Sequence, residues 1–432
     1  MRELLLDLYF AAVRAADPRQ AVERELAERP LPGTAPAHIL ALGKAAPGMA
    51  SAALGVLSRS RVPFAGGVVV GASREALLSS LPALAGDHPI PGDASAQAAR
   101  ALGEAVGGIP SAHQVLVLVS GGASSLVAAP AHGVEPADLT RLWQALLGSG
   151  LDIRSVNTLR KRCLRWGAGR LAASLAPRPV TVLCISDVIG DDPGTIGSGP
   201  CAPDPRWARE VLSLAEAADD RLELPPSVRR LLERQAAGHL PDTPKPGDRA
   251  FRNVTTHVIA SNRLAVRGVA RRATELGLPV LAGASDLSGE AREAGTRIGA
   301  FLRAGGGGAS CFVWGGETTV SLDAGSAGEG GRCQELALAA AEELDDVPGV
   351  ALLAAGTDGR DGPTDAAGAV VDGSTWTRIS KRGRTPAEDL ASHHAYAALD
   401  AGDALLRTGP TGTNVMDVVI GLRRRGEDPP AR

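Results

Sequence analysis

Eight short apolar runs, each followed by a loop rich in glycine, serine or aspartate, place the strongest constraint on how this chain can fold. They lie at 38–42, 67–70, 114–119, 180–185, 256–260, 280–283, 311–314 and 350–354. Each is near-continuous rather than alternating, the pattern of parallel strands buried on both faces. Helical patterns follow at 45–58, 93–106, 136–148, 205–217, 261–275, 289–303 and 332–343. This alternation predicts an α/β fold with mostly parallel sheets.

At 432 residues the chain is long enough for two or three domains. Five prolines, at 225, 226, 241, 244 and 246, flank a charged helix-like stretch, and a new strand begins near Val254. The economical division is 1–245 and 246–432, two α/β domains with a cleft between them.

Composition removes several function classes. Aromatic residues are 3% of the chain, too few for base-stacking platforms. A net charge of −3 gives no field to attract nucleic acid or acidic lipid. The five cysteines form no CxxC pair, which disfavours a zinc knuckle or redox motif and fits a reducing compartment. No apolar run reaches the length of a membrane span, and the first 16 residues carry Glu3 and Asp7 within an apolar stripe, as an amphipathic helix does. A cytoplasmic protein is expected, without membrane or nucleic-acid partners.

In open α/β sheets ligands sit beyond the carboxyl ends of the strands. Those ends carry Gly43-Lys44, Ser120-Gly121-Gly122-Ala123-Ser124-Ser125, Asp187 with Asp191 and Asp192, Gly315-Gly316-Glu317 and Gly356-Thr357-Asp358 with Asp361. Successive amides in such loops form anion-binding concavities. Aspartates beside them are the oxygen ligands that magnesium uses together with substrate phosphates. Five such loops in one chain point to a large polar site handling phosphate and a divalent metal.

Only four of the 45 basic residues are lysines, at 44, 161, 245 and 381. Lys44 therefore stands out, directly after a strand, where a compact cation meets phosphate oxygens. Arg332 opens a helical stretch, where a cation opposes the helix dipole and calls for an anionic partner. Asp187 reads as a base or metal anchor, and Asp358 as the preferred acid of its loop. His88, before Pro89, reads as structural, and Asp191 and Asp192 as turn residues.

Other signatures are missing. There is no GxxxxGK[ST], no HRD or DFG triplet, no HExxH and no GxSxG. No GxGxxG opens a helix after a strand with an acid about 20 residues on, which disfavours a nicotinamide enzyme.

The stretches GDHPIPGDAS (86–95), LVLVSGGASSL (116–126), VNTLRK (156–161), ISDVIGDDPGTIGSGP (185–200), GGETTV (315–320), GEGGRCQELALA (328–339), GTDGRDGPTDAAGA (356–369) and GPTGTNV (409–415) resemble the glycerate 2-kinase family that ends in a MOFRL domain. The likeness runs from Leu42 to about Leu422. It implies two Rossmann-like, three-layer α/β domains, the MOFRL region at about 310–422, and the last residues packing back on the first domain. It also implies transfer of phosphate from ATP, with Mg²⁺, to the 2-hydroxyl of D-glycerate, by a monomer or homodimer. The family's functional lysine, aspartate and arginine fall on Lys44, Asp187 and Arg332. Two positions depart from the family's usual Asn, at Cys333 and Met416.

On this reading Lys44, Asp187 and Arg332 are catalytic, and Asp187 and Asp358 are candidate metal ligands. The loops 120–125, 315–317 and 356–358 bind substrate and phosphate. Two alternatives use the same features: an oxidoreductase acting on hydroxypyruvate or tartronate semialdehyde, and a non-catalytic nucleotide-binding regulator.

Overall fold

In the computed structural model, which describes residues 1–72, 80–218, 220–282, 287–305, 309–322 and 328–424, the chain builds two six-stranded sheets. Strands β1 (Ala37–Leu42), β2 (Phe64–Gly71), β3 (Ala83–Ala85), β4 (Gln114–Val119), β5 (Val180–Ile185) and β6 (Val254–Ala260) form the first, in the order β3-β2-β1-β4-β5-β6. β1 pairs in parallel with both β2 and β4, β2 with β3, and β4 with β5. β4 is buried at every position, as its unbroken apolar sequence requires. The order reverses direction between β1 and β4, the crevice where doubly wound sheets bind ligands.

The second sheet contains β7 (Val280–Ala282), β8 (Ser310–Gly316), β9 (Val350–Gly356), β10 (Gly368–Asp372), β11 (Leu405–Leu406) and β12 (Asp417–Arg423), in the order β11-β10-β9-β12-β8-β7. β7 and β8 are parallel, whereas β12 lies between β8 and β9 and is antiparallel to both. β10 is antiparallel to β9 and to β11. Over both sheets the strands run mostly parallel, as expected, but the second sheet is mixed. Its antiparallel neighbours arise from β10, β11 and β12, none of which is among the eight apolar runs. Gly283, the end of one of those runs, lies outside the described residues.

The helix Arg332–Leu344 packs on the second sheet with Cys333, Leu336, Ala337, Ala340, Ala341 and Leu344 all buried. Its sequence is dominated by Ala, Leu and Glu, the best helix formers. The helix Ala291–Ala304 runs close against it: a Cβ at Gly295 would lie 2.2 Å from the Leu336 carbonyl oxygen. No helix of the described residues is long and apolar enough to cross a membrane.

The compact units are residues 18–259 on one side and 1–17 with 260–432 on the other, where the sequence pointed to 1–245 and 246–432. Two observations account for the difference. First, the proline-rich segment is no free linker. Lys161 pairs with Asp204 (2.9 Å), and the fully buried Arg162 pairs with Asp204 (3.2 Å) and Asp242 (2.5 Å). Lys245 pairs with Asp242 (3.2 Å), while the buried Thr243 hydroxyl donates to Asp204 (2.9 Å). β6 then closes the first sheet beside β5. Second, the amphipathic helix Arg2–Ala15 belongs with the second sheet. The Tyr9 hydroxyl donates to the Gly356 carbonyl (2.8 Å), and Arg272 pairs with Asp7 (2.8 Å). The last described strand, β12, lies inside the second sheet, and the residues after 424 lie outside the described ones.

Removing one member of a buried charge network strands the others without compensation. Asp204→Ala leaves Lys161 without its carboxylate and Arg162 with Asp242 as its one remaining carboxylate among the described residues, so a loss of about 3–5 kcal/mol is expected in urea unfolding. A loss below about 1 kcal/mol would mean that the network does not hold the segment.

Candidate active site

The expected residues assemble into two clusters, one in each unit. The first lies at the carboxyl ends of β1, β4 and β5. Gly43 carries the chain out of β1 at φ +121°, and a Cβ there would lie 2.3 Å from the Ser120 hydroxyl, so only glycine lets the two loops meet. The loops are stitched together by the Lys44 amide donating to the Gly121 carbonyl (2.9 Å) and the Ala45 amide to the Ser120 hydroxyl (3.0 Å). Lys44 itself is exposed, at the start of the helix Ala46–Leu57.

Asp187, from the end of β5, reaches the same place. A Cβ at Gly121 would sit 2.0 Å from its Oδ2. Burial pushes the Asp187 carboxyl above its ordinary value, against the pull of its own amide and of the Lys44 charge. Gly122, at φ +82°, is flanked on two sides: a Cβ there would lie 3.2 Å from Lys44 Cγ and 3.3 Å from His88 Cδ2.

The serines of this loop are each engaged within the protein. Ser120 is buried and accepts from Ala45, Ser125 is buried and donates to the Gly122 carbonyl (3.2 Å), and Ser124 shares a hydrogen bond with Ser198 (2.6 Å). Ala123 is buried. Asp192 accepts from the Gly194 amide and the Thr195 hydroxyl, the turn role expected of it.

The second cluster follows from the antiparallel course of β12. Because β12 starts where β8 and β9 end, its first residue, Asp417, pairs in register with both Gly316 and Gly356. Arg332, opening its helix after Gly331, donates from Nε to Asp417 Oδ2 (2.5 Å) and from Nη2 to Oδ1 (3.0 Å), and Nη1 pairs with Glu317 (2.7 Å). The anionic partner that the helix dipole called for is thus found within the chain. Asp417 is only 1% exposed, and burial raises its carboxyl while Arg332 opposes that rise. Burial works against the Arg332 charge too, but Asp417 and Glu317 outweigh it and hold the guanidinium protonated.

Around this pair, Gly315 gives room to Asn262, whose side-chain amide donates to the carbonyls of Val415 and Asp417 (2.8 Å each). Gly316, at φ +143°, packs against the Leu287 backbone. Gly356 accepts from Tyr9, and the buried Thr357 hydroxyl donates to the Met416 carbonyl (2.7 Å) and accepts from the Val415 amide (2.9 Å). Asp358 accepts from the Arg360 amide (3.0 Å), so its carboxylate shapes its own turn.

Asp361, read as a possible metal ligand, instead caps the Arg332 helix. Its carboxylate accepts from the amides of Cys333 (3.2 Å) and Gln334 (2.8 Å). Asp417, Asn262 and Tyr9 were not singled out by the sequence. The available signal for Asp417 was an acid placed directly before the last apolar run, 418–422.

Among the described residues no three His, Cys, Asp or Glu side chains stand together as a metal cage. Asp187 and Asp358 belong to different units, and each is a single carboxylate. That donor set fits a magnesium ion carried on substrate phosphates with one carboxylate, not a resident ion held wholly by protein.

Two family models cover most of this architecture. A domain of unknown function, DUF4147, matches residues 4–233, and the MOFRL family matches residues 310–417. A glycerate 2-kinase of Pyrococcus horikoshii is 35% identical, covering 98% of this chain and 97% of its own. A protein of Agrobacterium vitis that carries a hydroxypyruvate reductase label is 36% identical over 96% of this chain and 93% of its own. The crystal structure of a glycerate kinase from Thermotoga maritima matches with a TM-score of 0.86 and 36% identity, covering 98% of this chain and 99% of that one. Fold and relatives together define an α/β enzyme of the phosphotransferase class. The chain belongs to the glycerate 2-kinase family.

The Asp361 cap makes a pH prediction. Burial first, and Asp417 after it, push its carboxyl up to about 7 from an ordinary 3.8, against the two helix amides. A carboxyl raised on folding favours the folded state while protonated, so its contribution is full below about pH 4 and is lost as pH rises through about 7. Asp361→Asn keeps an acceptor for one of the two amides and is expected to flatten stability over that window, by on the order of a few kcal/mol. An unchanged slope in unfolding curves from pH 4 to 8 would show that Asp361 does not titrate there.

Proposed function

We propose that the protein transfers the γ-phosphoryl group of ATP to the 2-hydroxyl of D-glycerate, giving 2-phosphoglycerate and ADP. The observation that carries this reading is the meeting of Lys44 and Asp187 across Gly121 and Gly122, at the switch point of the first sheet. A cation on a mobile stem, an acid with a raised pKa and a glycine loop with little side-chain bulk suit an anionic reactant and a proton that must leave.

Asp187 accepts the proton of the 2-hydroxyl as the oxygen attacks phosphorus. The new O–P bond forms as the bond from phosphorus to the β,γ-bridging oxygen breaks, and ADP leaves with that electron pair. Burial supports the acceptor role, because it makes Asp187 a stronger base than an exposed aspartate. Lys44 holds charge on the phosphoryl oxygens, and Arg332 is assigned to charge stabilisation in the same reaction. Magnesium bound on the phosphates would neutralise their charge, with either Asp187 or Asp358 as the candidate for its one carboxylate. Positioning and electrostatics supply most of the rate in such a reaction.

The oxidoreductase alternative has less support, because the chain lacks the dinucleotide fingerprint that would hold a nicotinamide.

The test is phosphorus NMR of the protein with D-glycerate, ATP and Mg²⁺, where a 2-phosphoglycerate resonance should grow with ADP. A 3-phosphoglycerate signal would keep the kinase and overturn the placement of Asp187. No transfer to D-glycerate, L-glycerate or tartronate, with NADH consumed on hydroxypyruvate, would replace the kinase by the reductase. Lys44→Ala should lower turnover by about 10²–10⁴ without loss of fold. Arg332→Ala should do the same and also destabilise, since it leaves Asp417 buried without its cation. Near-native turnover in either variant would remove that residue's role.

A further inference from the structure

His88 takes no part in the mechanism above, yet it stands in the same cluster. Gly122 separates the imidazole from the Lys44 side chain, and a single added methyl at Gly122 would touch both, at 3.3 Å from His88 Cδ2 and 3.2 Å from Lys44 Cγ. Both side chains are exposed, so the notch over Gly122 opens to solvent between them. No hydrogen bond or ion pair joins the His88 ring to another described residue. The ring therefore presents its Cδ2 edge beside Gly122, with both nitrogens unbonded to any described residue.

The chemistry of that position is specific. Burial of part of the ring, and then the Lys44 charge, hold the imidazole down to about 4, so it is neutral at any pH near 7. A second cation for phosphate is therefore not what His88 offers. A neutral imidazole beside a glycine loop is a one-donor, one-acceptor group, the match for an uncharged hydroxyl. D-glycerate has two hydroxyls, and the proposed reaction consumes the 2-hydroxyl at Asp187.

We infer that His88 binds the 3-hydroxyl of the acceptor and so sets the preference for glycerate over 2-hydroxy acids that lack it. This rests on the glycerate kinase reading and adds the residue that selects the substrate. His88 acts through a contact with the part of the substrate that does not react, so its loss weakens recognition and leaves phosphoryl transfer itself in place.

The experiment compares D-glycerate with D-lactate, which is the same acid without the 3-hydroxyl, in the native chain, His88→Ala and His88→Gln. D-lactate is read as a substrate, or as a competitive inhibitor where its turnover is too slow. In His88→Ala, kcat/KM for D-glycerate should fall by on the order of tenfold or more, chiefly through KM, while the D-lactate constant stays within about twofold. His88→Gln, which keeps a neutral donor and acceptor, should recover part of the loss. An unchanged D-lactate constant also shows that the variant is folded. Equal losses on both acids, or no loss on either, would overturn the assignment. A native chain that phosphorylates no glycerate would sink the kinase reading, and this inference with it. A native kinase whose glycerate-to-lactate ratio is untouched by His88→Ala would sink the inference alone.

Discussion

The ion pair between Arg332 and Asp417 is the interaction on which the second unit turns. Its carboxylate is almost wholly buried and gripped by two nitrogens of one guanidinium, at 2.5 and 3.0 Å. A buried carboxylate costs several kcal/mol unless it is paired and hydrogen-bonded, and the bidentate fork meets that requirement. The same fork fixes where the Arg332 helix begins. A cation in a first helical turn opposes the dipole, so the arrangement stands only because Asp417 and Glu317 face it and Asp361 caps the buried first-turn amides. The strand, the helix and both glycine-bearing strand ends are therefore set by one carboxylate.

A strained torsion lies directly beside that carboxylate. Met416 sits at φ +64°, a conformation that Asn tolerates and longer side chains disfavour. The neighbouring backbone is held by the Thr357 hydroxyl, which bonds the carbonyl of Met416 and the amide of Val415, and by Asn262, which bonds the carbonyls of Val415 and Asp417. These bonds fix the turn, so the strained torsion survives with Met rather than Asn at 416. At the other departure, Cys333 keeps a buried thiol against Asp417, and burial first, then Asp417, hold it protonated. The thiol is thus a weak donor beside the carboxylate and adds no charge.

Legibility in the sequence followed the physics that each rule captures. Apolar runs with carboxyl-end loops exposed β1, β4 and β5 and, with them, Lys44, Gly121 and Asp187, because a parallel strand sends its chemistry to one end. The same rule looks past Asp417, which lies at the beginning of an antiparallel strand and reaches the carboxyl edge of its neighbours from the opposite direction. β10 and β11 are short and their pairing is non-local, so no local pattern announces them. The prolines at 241, 244 and 246 look like a linker because composition says nothing of partners far along the chain, and Asp242 is held by Arg162, some 80 residues earlier, and in turn holds Lys245. His88 was set aside for its neighbour Pro89, whereas its position over Gly122 is a property of the folded loop alone.

The scarcity of lysine carries a lesson that neither motif nor fold supplies. In a chain that uses arginine for nearly every positive charge, three of the four lysines occupy places that a planar fork would fit poorly. Lys161 meets Asp204 at 2.9 Å beside the fully buried Arg162, and Lys245 places its ammonium 5.0 Å from the Trp207 ring centroid while reaching Asp242 and Thr243. Both are compact point charges set into a network whose forks are already taken by Arg162. Lys44 is the one of the three that solvent reaches freely, beside a loop whose serines are already bonded to other parts of the protein. Rarity therefore selects positions that need a small mobile cation, and exposure then separates the one that can meet a ligand from the two that hold the fold. The contrast with Arg332 follows from the same chemistry: a guanidinium locked by two carboxylates is a fixed charge, while an ammonium on a free four-carbon stem can follow a phosphoryl group as it moves.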